Sequence, residues 1–187
     1  MSADGFLTNQ FLIAMPAMAD DNFFQTVTFI WEHNEEGALG IIINRPLRMR
    51  LGDVFEQLSM STEPGVHSEQ PVLQGGPVQT DRGFVVHHCG GSWEHTHRIS
   101  SRIQVTTSPD ILGAMARGAG PQVALVALGY AGWGPGQLEA ELAQNAWLTA
   151  PCDERILFDT PYEQRWLAAG RLLGVDLATI SPHAGHA

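Results

Sequence analysis

The stretch Thr26-Val27-Thr28-Phe29-Ile30-Trp31-Glu32-His33-Asn34-Glu35-Glu36-Gly37-Ala38-Leu39-Gly40-Ile41-Ile42-Ile43 decides the fold. Residues 26–32 are rich in β-branched and aromatic side chains, which suit a pleated, half-buried surface. Asn34-Glu35-Glu36-Gly37 has the chemistry of a turn, and residues 39–43 resume the β pattern. Two such runs joined by such a turn predict an antiparallel hairpin.

Upstream of the hairpin, the apolar run at residues 11–15 reads as another strand. Downstream, Leu51, Val54, Phe55 and Leu58 fall at helical spacing and predict a short amphipathic helix over 53–59. Residues 60–71 mix Ser, Thr, Glu, Gly and Pro and read as a surface loop. Val72-Leu73 and residues 84–88 are strand candidates around a Gly75-Gly76-Pro77 turn, and 90–96 reads as a loop before a strand near Ile103–Thr106. Ser108-Pro109-Asp110 opens a helix with a cap, a first-turn proline and an acid at the positive dipole end, and Gly118 ends it. Residues 123–128 are continuously apolar, the pattern of a strand covered on both faces.

Pro135 starts the next helix, which runs to about Ala143, and residues 155–158 read as a last strand. Thr160-Pro161-Tyr162-Glu163 reads as a capping box ahead of a final helix with Tyr162, Trp166, Ala169 and Leu173 inward and Gly174 at its end. Strand runs first and short helices interspersed later predict an α+β domain spanning 1–187, a mixed sheet with helices packed on it.

Composition bounds the activity. The 187 residues are 44% hydrophobic and 16% charged, which excludes a disordered or coiled-coil chain. All ten basic residues are Arg, and twenty acids leave a formal charge of −10, which repels nucleic acid and anionic membranes over most faces. Direct DNA binding is disfavoured on that ground. The tight basic cluster Arg45, Arg48 and Arg50 is followed at once by Asp53 and Glu56 and reads as a solvated segment.

No stretch approaches the ~20 apolar residues of a membrane span. Ala17-Met18-Ala19 imitates a signal-peptidase site, but the segment before it carries Asp4 and no basic residue, so the preceding apolar run is read as a strand of a cytoplasmic protein. Cys89 and Cys152 form no CxxC pair. A disulfide between them stays open, with reduced thiols the plainer reading.

Few residues offer chemistry. His87 and Cys89, with His95 and His97, share strand faces two by two and are the candidate metal ligands. Their spacing matches no common zinc signature, and the competing reading is a strand end followed by a solvated polar loop. His88 beside Cys89 points to the opposite face of a strand, so the pair makes a poor base and nucleophile. The segment Gly129-Tyr130-Ala131-Gly132-Trp133-Gly134-Pro135-Gly136-Gln137 reads as a glycine-rich loop between a buried strand and a helix start, a place where backbone N–H groups meet an anion. It lacks the Lys and Ser/Thr of a phosphate loop, which disfavours nucleotide hydrolysis, and the competing reading is a tight structural turn. Gly132, Gly134, Gly136 and Gln137, with Arg45 and Arg82 as cationic partners, are the candidate ligand- or partner-binding residues. No catalytic constellation and no cofactor motif is found. The expected function is non-enzymatic binding of a small ligand or protein partner in a regulatory role, ahead of an enzyme of unrecognised type.

Asn9-Gln10-Phe11-Leu12-Ile13-Ala14-Met15-Pro16, Glu32 to Gly40 and Ile43-Asn44-Arg45-Pro46 resemble blocks of the AlgH/YqgE family of small bacterial proteins. Gly75-Gly76-Pro77-Val78, Arg82-Gly83-Phe84-Val85-Val86-His87, Thr107 to Leu112, Gly129 to Leu142 and Asn145-Ala146-Trp147-Leu148 follow in the family's order, as do Trp166 and the terminal Gly185-His186-Ala187. The loop after His87 departs from that pattern at Cys89, His95 and His97. The resemblance implies a bifurcated, partly closed sheet forming a partial pseudo-barrel, largely antiparallel, with short helices packed on it. It implies no catalytic residues. The family's label is one of transcriptional regulation, and direct action on DNA is the alternative it brings.

Overall fold

The computed structural model describes residues 5–63 and 66–180, so Asp4 and the motif Gly185-His186-Ala187 lie outside the described residues. The strands are β1 (Gln10–Ala14), β2 (Val27–Asn34), β3 (Gly37–Ile42), β4 (Pro46–Arg50), β5 (Pro71–Gln74), β6 (Val78–His88), β7 (Thr96–Arg98), β8 (Ile103–Thr106), β9 (Ala124–Trp133) and β10 (Trp147–Pro151). The helices are α1 (Leu51–Gln57), α2 (Asp110–Ala116), α3 (Gln137–Ala143), α4 (Glu154–Phe158) and α5 (Arg165–Arg171), the last preceded by a single 3-10 turn at Tyr162–Gln164. The fold is α+β, a mostly antiparallel sheet curled into a half-barrel with short helices on it.

The sheet runs β10-β1-β2-β3-β9-β6-β8-β7, with β4 on β5 and β5 on β9. The predicted hairpin is there as β2 and β3, antiparallel from Thr28↔Ile42 to Asn34↔Gly37. Among the described residues only β5 and β9 pair in parallel, at Leu73↔Ala127 and Gln74↔Leu128. Period-two alternation divides the side chains between two faces. Phe11 and Ile13, Val27, Phe29 and Trp31, Ile41, Phe84 and Val86, and Leu125 and Ala127 fill the inner face, closed by Ile156, Leu157, Trp166, Ala169 and Leu177. On the outer face, Val72, Val85 and Val126 lie under α1 and α2. Leu12, Ile30, Ala131 and Trp133 lie under Leu138 of α3.

The sheet divides along β9. Residues 131–133 pair with β3, while residues further back pair with β5 and β6. Glycines make the division sterically feasible. A Cβ on Gly75 would stand 2.3 Å from Gly129 O, one on Gly76 2.1 Å from the Tyr130 carbonyl, and one on Gly129 2.5 Å from Gly76 O. Gly76 and Gly129 also sit at φ +159° and +78°, and the latter falls squarely in the left-handed region that favours glycine. Residues 129–133 are therefore strand, not the loop expected from their composition.

Other expectations are corrected by local chemistry. Residues 155–158 form α4 rather than a strand, because the Asp153 carboxylate accepts the N–H groups of Arg155 and Ile156 and caps a helix. Thr160 does not open a capping box. Its hydroxyl donates to Arg155 O and closes α4 instead, and the last helix starts only at Arg165. The stretch Pro46–Arg50, read as a solvated basic segment, is β4, and β10 was missed, although it pairs antiparallel with β1 from Gln10↔Pro151 to Ala14↔Trp147.

Candidate functional site

The six candidate binding residues do not converge. Arg82 lies on β6 with its guanidinium 5.3 Å from the centroid of the Phe84 ring. It borders a niche of about 120 Å³ at the mouth of the inner face, shared with Trp31, Leu39, Phe84 and Tyr130. Arg45 lies elsewhere, donating to Asn22 O (2.7 Å) and Phe24 O (3.0 Å) beside a hollow that Tyr162 and Trp166 also line. Burial lowers its pKa against the pull of Asp20 and Asp21. Gly132 is within β9, and Gly134, Gly136 and Gln137 form the turn into α3. There the Gln137 side chain accepts the Gly134 N–H at 3.0 Å, so one of the amide groups expected for an anion is already engaged. Helix α3 has only seven residues and a Glu139 in its first turn, which further reduces its attraction for anions. Of the sequence-level set, the structure joins only Arg82 to this glycine-rich segment, through Tyr130.

The histidines and Cys89 are also dispersed. His87 is fully buried, with Nδ1 2.7 Å from His88 O and Nε2 2.7 Å from Thr106 Oγ1. A carbonyl can only accept, so Nδ1 carries the proton and Nε2 accepts the Thr106 hydroxyl. Thr106 Oγ1 in turn lies 2.9 Å from Thr96 Oγ1. Burial lowers the His87 pKa and keeps the ring neutral, with neither nitrogen left for a metal. His97 packs its ring 5.2 Å from Trp31. Among the described residues no group of three or more His, Cys, Asp or Glu is placed to hold an ion. Both thiols are free, and burial beside Glu154 and Asp153 pushes Cys152 up to about 12.

The basic cluster does not act as a patch either. Arg45 turns to main-chain carbonyls, and Arg50 pairs with Glu69. His88 and Arg102 both bond Glu154, at 2.7 Å each, a tie between β6, the β7–β8 turn and α4. Arg102 foremost, and His88 after it, hold the Glu154 carboxyl below its usual range.

A cleft absent from the sequence reading lies between α1, α2 and the outer face of the sheet. It has a volume of about 480 Å³ and is walled by Met49, Val54, Leu58, Leu112, Val85, Val126 and Leu128. Thr106, Thr107, Ser108 and Pro109 form one end, and Asp81 and Gln57 reach its rim. Ser108 donates to Asp110 Oδ1 at 2.5 Å and accepts the His95 N–H, which fixes that end. Gly83 opens the floor: a Cβ built there meets nothing within 4 Å. In the sequence Val54 and Leu58 read as one stripe of a short helix, Val85 and Val126 as strand positions, and Ser108-Pro109 as a helix start. The available signal was Gly83, a glycine in mid-strand. Two of the blocks quoted above, Arg82 to His87 and Thr107 to Leu112, meet in this cleft.

A family model described as AlgH-like matches residues 11–178. A UPF0301 protein of Thioalkalivibrio sulfidiphilus is 57% identical over 187 residues, covering 100% of both chains. One from Nitrosococcus oceani is 54% identical over 182 residues, covering 97% of each. The solution structure of the AlgH protein from Pseudomonas aeruginosa aligns with TM-score 0.81 at 51% identity, over 100% of this chain and 99% of that one. A crystal structure of a Corynebacterium diphtheriae protein shares the fold with TM-score 0.70 at 21% identity, over 91% of this chain and 89% of that one. A half-barrel whose sheet branches at Gly75, Gly76 and Gly129, carried by a sequence similar to these relatives from end to end, places this chain in the AlgH-like family.

Proposed function

We propose that this protein is a non-enzymatic, cytoplasmic binding protein with a regulatory role. Its ligand is a small, mostly apolar molecule, or an apolar segment of a protein partner, seated in the cleft between α1, α2 and the sheet. The observation that carries this reading is the cleft itself. It is concave, about 480 Å³, lined mainly by aliphatic side chains, and has hydroxyl groups at one end. Ligand sites are commonly built this way, as apolar pockets with a few placed polar groups. The charge of −10, the turning of Arg45 to main-chain carbonyls and the pairing of Arg50 with Glu69 weigh against duplex DNA as the partner.

Gly83→Leu tests the reading, because the new side chain enters open space in the cleft. Native mass spectrometry of protein purified from its own host is expected to find a molecule on the wild type that is missing from Gly83→Leu, at equal melting temperature. Turnover of a substrate that Gly83→Leu abolishes would replace binding by catalysis.

A further inference from the structure

Trp31 is placed by an irregularity in its strand. The β2–β3 register slips between Ile30↔Gly40 and Glu32↔Leu39, so Trp31 sits in a β-bulge. Bulges re-aim side chains and are frequent beside functional sites. Here the indole joins the inner-face core at its open mouth, with ring centroids 6.2 Å from Phe84 and 5.2 Å from His97. Phe84 meets Tyr130 edge-on at 5.6 Å. The Trp31 Nε1–H is shut off from solvent and has no acceptor among the described residues. A buried donor left in that state destabilises the fold.

Arg82 completes the niche. Its guanidinium lies over the Phe84 ring and makes one long bond, 3.4 Å, from Nη1 to Gln79 Oε1. Among the described residues no carboxylate lies within ion-pairing distance of its planar fork, and the side chain is exposed. Such a fork matches the two oxygens of a carboxylate. Glu32, the neighbouring acid on β2, accepts from Asn34 Nδ2 instead, at 3.3 Å. Of the side chains that line the niche, Trp31 and Arg82 carry donors and no acceptor, and the Tyr130 hydroxyl can act either way. The free volume equals that of about four waters, enough for one ring or a short acid and too small for a nucleotide.

We propose that this niche binds a planar carboxylate. The carboxylate oxygens meet the Arg82 fork, the flat body lies among the rings of Trp31, Phe84 and Tyr130, and the ligand brings the acceptor that Trp31 lacks. His97, the exposed side chain packed on the indole, moves aside to admit it. This site is separate from the cleft on the outer face.

The test titrates benzoate, its uncharged analogue benzamide and inorganic phosphate into the full-length protein. The indole N–H resonance of Trp31, assigned by its loss in Trp31→Phe, reports binding. Benzoate is expected to shift it saturably, with benzamide weaker by about tenfold or more. Arg82→Gln, at an exposed position whose guanidinium meets the Phe84 ring and Gln79, is expected to erase that difference. A Trp31 indole that does not respond to benzoate, responds equally to benzamide, or responds unchanged in Arg82→Gln overturns the proposal. Phosphate binding as tightly as benzoate overturns its planar part.

Discussion

His33 donates its Nε2–H to Glu139 Oε1 across 2.6 Å, and this bond exists because of the bulge at Trp31. In an unbroken β2, His33 would follow Val27, Phe29 and Trp31 onto the inner face. The extra residue turns it to the outer face, opposite Ala38 and under α3. Its Nδ1 accepts the Leu7 N–H at 3.0 Å, so the ring is fixed as the neutral Nε2–H tautomer.

That bond predicts an asymmetry between its two ends. His33 is buried and Glu139 half exposed, with side-chain exposures of 1% and 48%. His33→Phe strands the Leu7 N–H and is expected to cost about 1–3 kcal/mol in urea unfolding. Glu139→Gln keeps an acceptor at a solvated position and is expected to cost less than about 1 kcal/mol. Equal losses would show that the tie does not depend on the buried ring.

The neutral His87 makes stability depend on pH. Burial lowers its pKa from the ordinary 6.5, so below that value the unfolded chain takes up a proton that the folded one refuses. Stability is therefore full above about pH 6.5 and declines as pH falls toward the lowered folded value, where this contribution levels off. Thermal melts across pH 7.5 to 5 are expected to show the decline, and Thr106→Val, which leaves Nε2 without its donor, is expected to cost about 1–3 kcal/mol. A chelator is expected to leave the melting temperature unchanged, because structural zinc would contribute folding free energy directly.

The glycines of the 129–137 stretch separate into two kinds. Gly129, with Gly76, packs backbone on backbone, and Ala at either position is expected to cost more than about 3 kcal/mol or to abolish folding. Gly136 is at φ +73° with open space around it, so Gly136→Ala is expected to cost about 1 kcal/mol from conformation alone. Gly134 has neither constraint, and Gly134→Ala is expected to be near neutral in urea unfolding. Gln137→Ala loses the bond to the Gly134 N–H, a solvated one worth about 0.5–1 kcal/mol.

Periodicity and turn chemistry made much of the frame legible. The β2–β3 hairpin, β1, β8, α2 with its stop at Gly118, and Gly174 after the last helix all lie where local residues ask for them. What stayed hidden depends on distant neighbours. A strand such as β10, Trp147-Leu148-Thr149-Ala150-Pro151, has no strong pattern of its own and exists because β1 offers it a ladder. Gly129 reads as a loop residue until the Gly75-Gly76 turn is seen against it. The bulge at Trp31 has no local signature, and so neither the niche nor the His33 tie was predictable. Arg82 was found as a cation, but its rings were not.

The last helix closes the core of the first strands. Trp166 Nε1–H donates to Ala14 O across 152 residues, and Arg165 Nη1 donates to Ile43 O across 122, both at 2.8 Å. During synthesis, β1 to β3 leave the ribosome long before the groups that cover their inner face. At about 5–20 residues per second the delay is roughly 8–30 s. Phe11, Ile13, Phe29 and Ile41 must wait that long with nothing fixed over them, a period in which a nascent chain depends on holding factors or slow aggregation to survive. Ribosome-bound chains halted before Arg165 are accordingly expected to remain sensitive to protease, and those extended through Leu177 to become resistant. Early resistance would mean that the half-barrel seals without its C-terminal helix.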